Sequence, residues 1–420
     1  MKQLIKTVLR RGFGGHVKIS SVETITLRHS YPLEHQFEYA GGRCDGRLTT
    51  LILVRTDGDE IGIGSVYSHP GIIHIVVRDQ LEPFLVGKDP TQVEDLWEQM
   101  YGLTRWYGRK GAAMSAIGGI DTALWDLRGK IAGKPVWQLL GGQTGTCSAY
   151  ASGLLWKNQL ADLSREAINY IDQGFRRVKM RLARSETYDR EALHVVRRAI
   201  GIDQGIIVDA SMRYHPELAV RMGRIFADHD VFWYEEPFAP ENIDAFSLLR
   251  NLTTVPLAAG ENEFGLQGFR ELIRVNAVDI LQPDASRCGG ITEVSRVGTL
   301  AQQHGLRFAT HSWSDAVAVI ANAHVVSALP SGLTVEIDRT NNPFVDKLLD
   351  PLAGITLSVI DGQLSLGDSP GLGIGLDMEV VEKYRLKDPF NVTDGVYSDM
   401  MFGVQNFPKA LPYIEGDGEA

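Results

Sequence analysis

Between residues 206 and 262 the chain repeats one pattern three times: an apolar, β-branched run that stops at a carboxylate. The runs are IIVDASMRY, VFWYEEPFAP and VPLAAGENEFG, and they stop at Asp209, Glu235 and Glu261, with steps of 26 and 26 residues between the acids. An eight-fold βα barrel of about 250 residues spends roughly 31 on each strand-helix unit, so the spacing fits one unit per step. The rhythm runs outward in both directions, to Lys179, 30 residues before Asp209, and to Asp284, His311 and Glu336 at further steps of 23, 27 and 25. A polar residue at the end of each successive strand is how a βα barrel builds a site on its C-terminal face. The pattern predicts strands near 147–152, 175–181, 205–210, 231–236, 255–261, 278–284, 306–311 and 333–337, with helices between them, for example at 186–200 and 289–304. Eight strands are the number a closed barrel of this kind needs.

Upstream, residues 18–28 alternate like a strand, and GRLTTLILVRTDGDEIGIGSVYS (46–68) reads as a hairpin turning at Asp57-Gly58. Helical patterns follow at about 72–87, 91–106 and 113–132. The last places Ile117, Ile120, Ala123, Leu124 and Leu127 at helical spacing. Its Asp121 and Asp126 read as caps or structural partners. The expected division is an N-terminal extension (1–17), an α+β capping domain (18–142), a βα barrel (143–340) and a C-terminal segment (341–420) that returns to the cap. The extension is basic and lacks acids, without a cleavage signature. The connection HSYPLEHQFEYAGGR, about 29–43, carries His29, Tyr31, His35 and Arg43. Structureless connections of this length are often functional, which makes it a candidate lid. His29 and Arg43 on it, with Tyr150 on the first barrel strand, are the expected substrate contacts.

Charge narrows the partners. A net charge of -10 argues against nucleic acid, which usually needs a basic face. No stretch approaches the ~18 uninterrupted apolar residues of a membrane span. Three scattered cysteines without metal spacing suggest a reduced, cytoplasmic chain.

Three carboxylates converging on one barrel face can hold a hard cation through oxygen, and with no Cys or His among them magnesium is favoured over zinc or copper. Glu236 faces away from Glu235 if the strand continues, so only one of the two can reach the mouth. Lys179 and Arg181, two apart on a strand, share a face that can receive an anion. Asp284, one strand before His311, can fix the imidazole tautomer and raise the basicity of its other nitrogen. Glu336 would serve as a donor or electrostatic partner. Positive charge arranged around a small carboxylate suits removal of its α-proton, because it stabilises the enediolate that forms.

These residues sit in motifs that resemble those of the enolase superfamily, mandelate racemase subgroup. The motifs are AIGGIDTALWDLRGKIAGKPVWQLLGG (116–142), VDA (208–210), YEEP (234–237), GEN (260–262), QPDASRCGGITE (282–293) and THS (310–312). The resemblance implies a modified TIM barrel of (β/α)7β type with an N-terminal α+β capping domain completed by C-terminal segments. It also implies Mg2+ on Asp209, Glu235 and Glu261, a basic pair at Lys179 and Arg181, a His311–Asp284 dyad, Glu336 as last-strand acid, and a cap loop that closes over the site. One departure bears on the reaction. The subgroup usually has a second lysine where this chain has Arg181, and guanidinium is a poor proton acceptor. Racemisation needs bases on both faces of the carbon, whereas one histidine can remove the α-proton and assist a departing β-hydroxyl. In another route the Lys179/Arg181 side takes the proton and His311 only assists the departing hydroxide. The expected activity is Mg2+-dependent dehydration of an aldonate or aldarate to a 2-keto-3-deoxy acid. A 2-hydroxy-acid racemase or epimerase is the alternative, a muconate-type cycloisomerase is disfavoured, and a silent barrel kept for binding would require the ligand set to be idle. The expected partners are a small anionic sugar acid and further copies of the chain in a homo-oligomer, with neither nucleic acid nor membrane.

Overall fold

The computed structural model describes residues 17–389 and the backbone of 396–397 and 400–402, so the 1–17 extension lies almost wholly outside the described residues. The chain first builds an antiparallel sheet. Its centre is β3 (Gly42–Thr56), which pairs with β1 (Ile19–Ser30) and β4 (Ile61–Val66), and near its start with β2 (Phe37–Tyr39). The helices α1 (Pro70–Val76), α2 (Val93–Thr104) and α3 (Ala112–Ala132) follow. The helical pattern expected over 72–87 is interrupted, since a π turn (Val77–Leu81) and a short helix with Pro83 in its first turn follow α1. α3 lies almost wholly buried against β4. A Cβ at Gly64 would stand 2.0 Å from the Gly119 carbonyl, so only glycine lets strand and helix approach this closely.

The barrel alternates without exception. Strands β5 (Thr146–Ser152), β6 (Arg177–Arg181), β7 (Gly205–Asp209), β8 (Val231–Glu235), β9 (Leu257–Ala259), β10 (Ile280–Leu281), β11 (Arg307–Thr310) and β12 (Gly332–Asp338) pair in parallel. Pairing of Val335–Asp338 with Ala149–Ser152 closes the ring. Between them stand α4 (Leu160–Asp172), α5 (Glu186–Ile200), α6 (Pro216–Asp228), α7 (Ile243–Arg250), α8 (Gly265–Arg274), α9 (Gly290–Gln303) and α10 (Ala316–Ala328). Seven helices between eight strands make a (β/α)7β barrel beneath an α+β cap. β9 and β10 are shorter than the apolar runs suggest. Gly260, at φ 129°, turns the chain after β9, and Pro283 follows two residues after β10 with no N–H for a ladder.

Cap and barrel meet through buried polar contacts. Asp121 of α3 accepts from the Thr292 N–H (2.9 Å) and hydroxyl (2.6 Å), and so satisfies the first turn of α9 from the other domain. Asp126 accepts from the backbone N–H of Ile63 and of Leu372. Arg47 of β3, fully buried, donates to Asp338 at the end of β12 and to Thr340, both at 2.7 Å. After the barrel, β13 (Val359–Ile360) and β14 (Gln363–Ser365) form a hairpin on β5. Helix α11 (Met378–Tyr384) contacts β1, and the backbone of β15 (Val396–Tyr397) and β16 (Met400–Phe402) extends the cap sheet at β3. Among the described residues no helix is long and apolar enough to cross a membrane.

Candidate active site

Strand alternation raises the site. Inside the barrel Tyr150, Ile207, Trp233, Ala258, Ile280 and Ala309 form a buried apolar layer. Two residues further along, on the same face, come Asp209 after Ile207, Glu235 after Trp233 and His311 after Ala309. Around the ring, β6 thus supplies cations, β7, β8 and the turn after β9 supply carboxylates, the segments after β10 and β11 supply the imidazole pair, and β12 supplies Glu336.

Asp209, Glu235 and Glu261 each offer an oxygen, all within 4.8 Å of one another. Glu261 Oε2 is buried and accepts no hydrogen bond from the described residues. An oxygen-only donor set with an unpartnered carboxylate oxygen fits a hard divalent cation. Glu236 is buried too, at φ 35°, and its Oε2 accepts from Asn262 (2.8 Å). Burial, with the Glu261 and Glu235 carboxylates, pushes its pKa well above the usual range, and it is Glu235, not Glu236, whose oxygen joins the cluster.

Lys179 is fully buried, with Nζ 2.8 Å from Glu235 Oε1 and 2.6 Å from Glu336 Oε1. Arg181 pairs through Nη1 with Asp209, while its Nε and Nη2 make no hydrogen bond among the described residues. Burial opposes its charge, but Glu336, Glu261 and Glu235 prevail and raise its pKa further. Arg181 therefore stays cationic. Glu336 shows the reverse: burial works against its anion, yet Lys179, His311 and Arg181 hold it well below the usual carboxylate range.

His311 Nδ1 lies 2.7 Å from Asp284 Oδ2. Asp284 is held in turn by the Ser286 N–H and hydroxyl (2.8 Å each) and by Asn322 (3.0 Å). The proton on Nδ1 is thereby fixed, and Nε2 faces Glu261 (3.8 Å) and Glu336 (4.0 Å). Burial lowers the imidazole pKa, but Glu261, Glu336 and Asp284 outweigh it and push it up to about 9. The Tyr67 ring, just after β4 of the cap, meets the His311 ring edge-on at 5.7 Å.

The three expected substrate contacts have the following surroundings. His29 packs edge-on against Tyr31 (5.3 Å) and Tyr384 (5.4 Å). Arg43 is about half exposed, bonded to Gln36 and paired with Asp45 on its own hairpin. Tyr150 is fully buried in the layer beneath the carboxylates, with its ring 5.5 Å from Lys179 Nζ and its hydroxyl without a hydrogen-bond partner among the described residues. Residues 29–43 are not structureless. A 3-10 turn (Leu33–His35) leads into β2, which pairs Phe37 with Cys44 and Tyr39 with Gly42. What this hairpin brings to the barrel is aromatic. Tyr31, Phe37 and Tyr39 cluster with Cys44, Leu155 and Trp313, and the sequence reading passed over Trp313. Its signal was its place two residues after His311.

Comparison with known proteins agrees with this geometry. Residues 22–141 match the mandelate racemase / muconate lactonizing enzyme N-terminal domain, and residues 162–380 match the enolase C-terminal domain-like family. The D-galactarolactone cycloisomerase of Agrobacterium fabrum is 33% identical over 89% of this chain and 100% of its own. The arabinonate dehydratase of Saccharolobus solfataricus is also 33% identical, over 80% of this chain and 90% of its own. The L-talarate/galactarate dehydratase from Salmonella typhimurium LT2, solved with Mg and L-lyxarohydroxamate, superposes with a TM-score of 0.80. It is 25% identical, with 88% of this chain and 93% of that one covered.

Proposed function

The chain belongs to the mandelate racemase subgroup of the enolase superfamily, and from that premise we propose that it dehydrates a sugar acid, an aldonate or aldarate, to a 2-keto-3-deoxy acid. It is an enzyme of this family, and sugar-acid dehydratases stand among its relatives. Asp209, Glu235 and Glu261 would hold Mg2+, which supplies positive charge to the substrate carboxylate. Arg181, whose Nε and Nη2 make no hydrogen bond among the described residues, would meet the substrate anion as a permanent cation, with Lys179 beside it. Mg2+ on Glu261 would offset the charge that does most to raise the His311 pKa and so leave Nε2 unprotonated. With Nδ1–H bound to Asp284, His311 would then take the α-proton on Nε2 and return it to the β-hydroxyl as that group departs as water. The cations stabilise the charge of the enediolate between these events, while Glu336, itself an anion, holds Lys179 in place. The product enol then tautomerises to the keto acid.

The observation that carries this reading is the asymmetry of the two faces: a carboxylate-oriented imidazole on one and a guanidinium on the other. A single competent base suits elimination better than racemisation. His311→Asn is expected to lower kcat by about 100- to 10,000-fold, the usual range for loss of a general acid-base. Mg2+ affinity should stay unchanged by titration calorimetry. Near wild-type turnover in that variant would remove His311 from the mechanism. A second reading is favoured by the cycloisomerase that is 33% identical over its full length. The same proton removal with a ring oxygen as leaving group would open a sugar lactone, with no water lost.

A further inference from the structure

Trp313 is packed between two guanidiniums. Arg47, from the cap, stands 4.5 Å from the indole centroid, and Arg181, from the barrel site, stands 4.4 Å from it. Trp313 is buried, and its edges are closed by the cap hairpin, with Phe37 at 6.0 Å and Tyr39 edge-on at 5.8 Å. The two cations are not held alike. Arg47 is fixed by Asp338, Thr340 and the Tyr31 hydroxyl (3.2 Å). Among the described residues Arg181 has one short polar bond, from Nη1 to Asp209, with Nη2 3.8 Å from Glu336, so the π face of Trp313 is a further support of its plane. A guanidinium over an indole is attracted to the ring face, and more strongly when both are out of water.

We propose that Trp313 is a positioning residue: it transmits the docking of the cap hairpin to Arg181, so that Arg181 is correctly aimed only when the cap is seated. This rests on the reading of Arg181 as the group that grips the substrate anion. Arg47 and the hairpin fix the indole from one side, and the indole fixes the guanidinium plane on the other. A hairpin that lifts would free the indole and leave Arg181 held by its carboxylate partners, Asp209 and Glu336, alone. Substrate grip thus depends on cap closure without any cap cation reaching the substrate.

The test uses the intact protein with Mg2+ and oxalate, a planar dianion that imitates the charge and shape of an enediolate. Titration calorimetry gives oxalate affinity for wild type, Trp313→Phe, Trp313→Leu, Arg181→Lys and the Trp313→Leu/Arg181→Lys pair. Trp313→Leu is expected to weaken oxalate about tenfold, the scale of one buried cation–π contact, with Mg2+ affinity kept. Trp313→Phe, which retains a ring face, should recover most of that loss. In the Arg181→Lys background, Trp313→Leu should cost little more, because the indole acts through the arginine. Equal oxalate affinity in Trp313→Leu and wild type, no rescue by Phe, or fully additive losses would overturn the proposal alone. An Arg181→Lys variant that binds oxalate like wild type, or a wild type that does not bind it, would overturn the reading of Arg181 and the clamp with it.

Discussion

His324 gives a stability prediction that is independent of the chemistry. It is fully buried in α10, where Nδ1 accepts from the Trp137 N–H (3.0 Å) and Nε2 lies 3.2 Å from the Leu372 carbonyl. Both bonds require the neutral ring with its proton on Nε2, and they tie the barrel's last helix to the cap junction and to the C-terminal segment. Burial, opposed only by the Leu372 carbonyl, lowers the pKa from 6.5 to about 4. Because the folded value lies below the unfolded one, the unfolded chain binds more protons between about 4 and 6.5. His324 therefore contributes stability in full above 6.5 and loses it as pH falls toward 4. Integrated between pH 7 and pH 5, the loss is about 2 kcal/mol. Other groups titrate in that range, so the assay is a difference: urea unfolding of wild type and His324→Gln at both pH values, at fixed Mg2+. The variant should be less stable at pH 7 but lose about 2 kcal/mol less than wild type on going to pH 5. Equal losses in the two proteins would mean that His324 is protonated or solvated in the folded state, and the packing described for α10 would be wrong.

Two other substitutions probe the ligand set and the domain contact. Glu235→Gln should weaken Mg2+ binding by more than about 100-fold, and Glu236→Gln by no more than the roughly 10- to 100-fold of a group outside the ligand set. Calorimetric titration of both variants checks this, and equal effects would reverse the choice between the neighbours. Arg47→Met strips the fully buried Asp338 of its counter-charge and should cost about 3–5 kcal/mol in urea unfolding. A cost under about 1 kcal/mol would mean that Asp338 is not left as an uncompensated buried charge and that the Arg47 pair does not hold cap to barrel.

How much the sequence discloses depends on whether a residue lies inside a period. Lys179, Arg181, Asp209, Glu235 and Glu336 sit on strands whose neighbours alternate, and the step between units carries the pattern on to Glu261, Asp284 and His311, just past strand ends. Spacing alone therefore brings these eight to one barrel mouth, where the structure has them. Trp313 lies beyond the end of β11, where no alternation says which way a side chain points. Arg47 reads as the polar start of an apolar strand, and only the tertiary fold sets it against Asp338. The hairpin in 29–43 escaped because β2 is three residues long, too short to show a period. For the same reason nothing in the sequence shows that His29 packs between two tyrosines or that Arg43 pairs with Gln36 and Asp45 on the hairpin. The lengths of β9 and β10 were misjudged where Gly260 and Pro283 end strand geometry before the apolar run ends.

The central claim is that His311 and the cations around it carry out an α-proton elimination on a sugar acid. A Mg2+-supplemented screen of aldonates, aldarates and their lactones, read by 2-keto acid formation, tests it most directly. The account predicts strong turnover of one open-chain acid or a small related group, abolished in His311→Asn. Solvent deuterium entering recovered substrate with no keto acid formed would contradict elimination and establish a racemase or epimerase in its place.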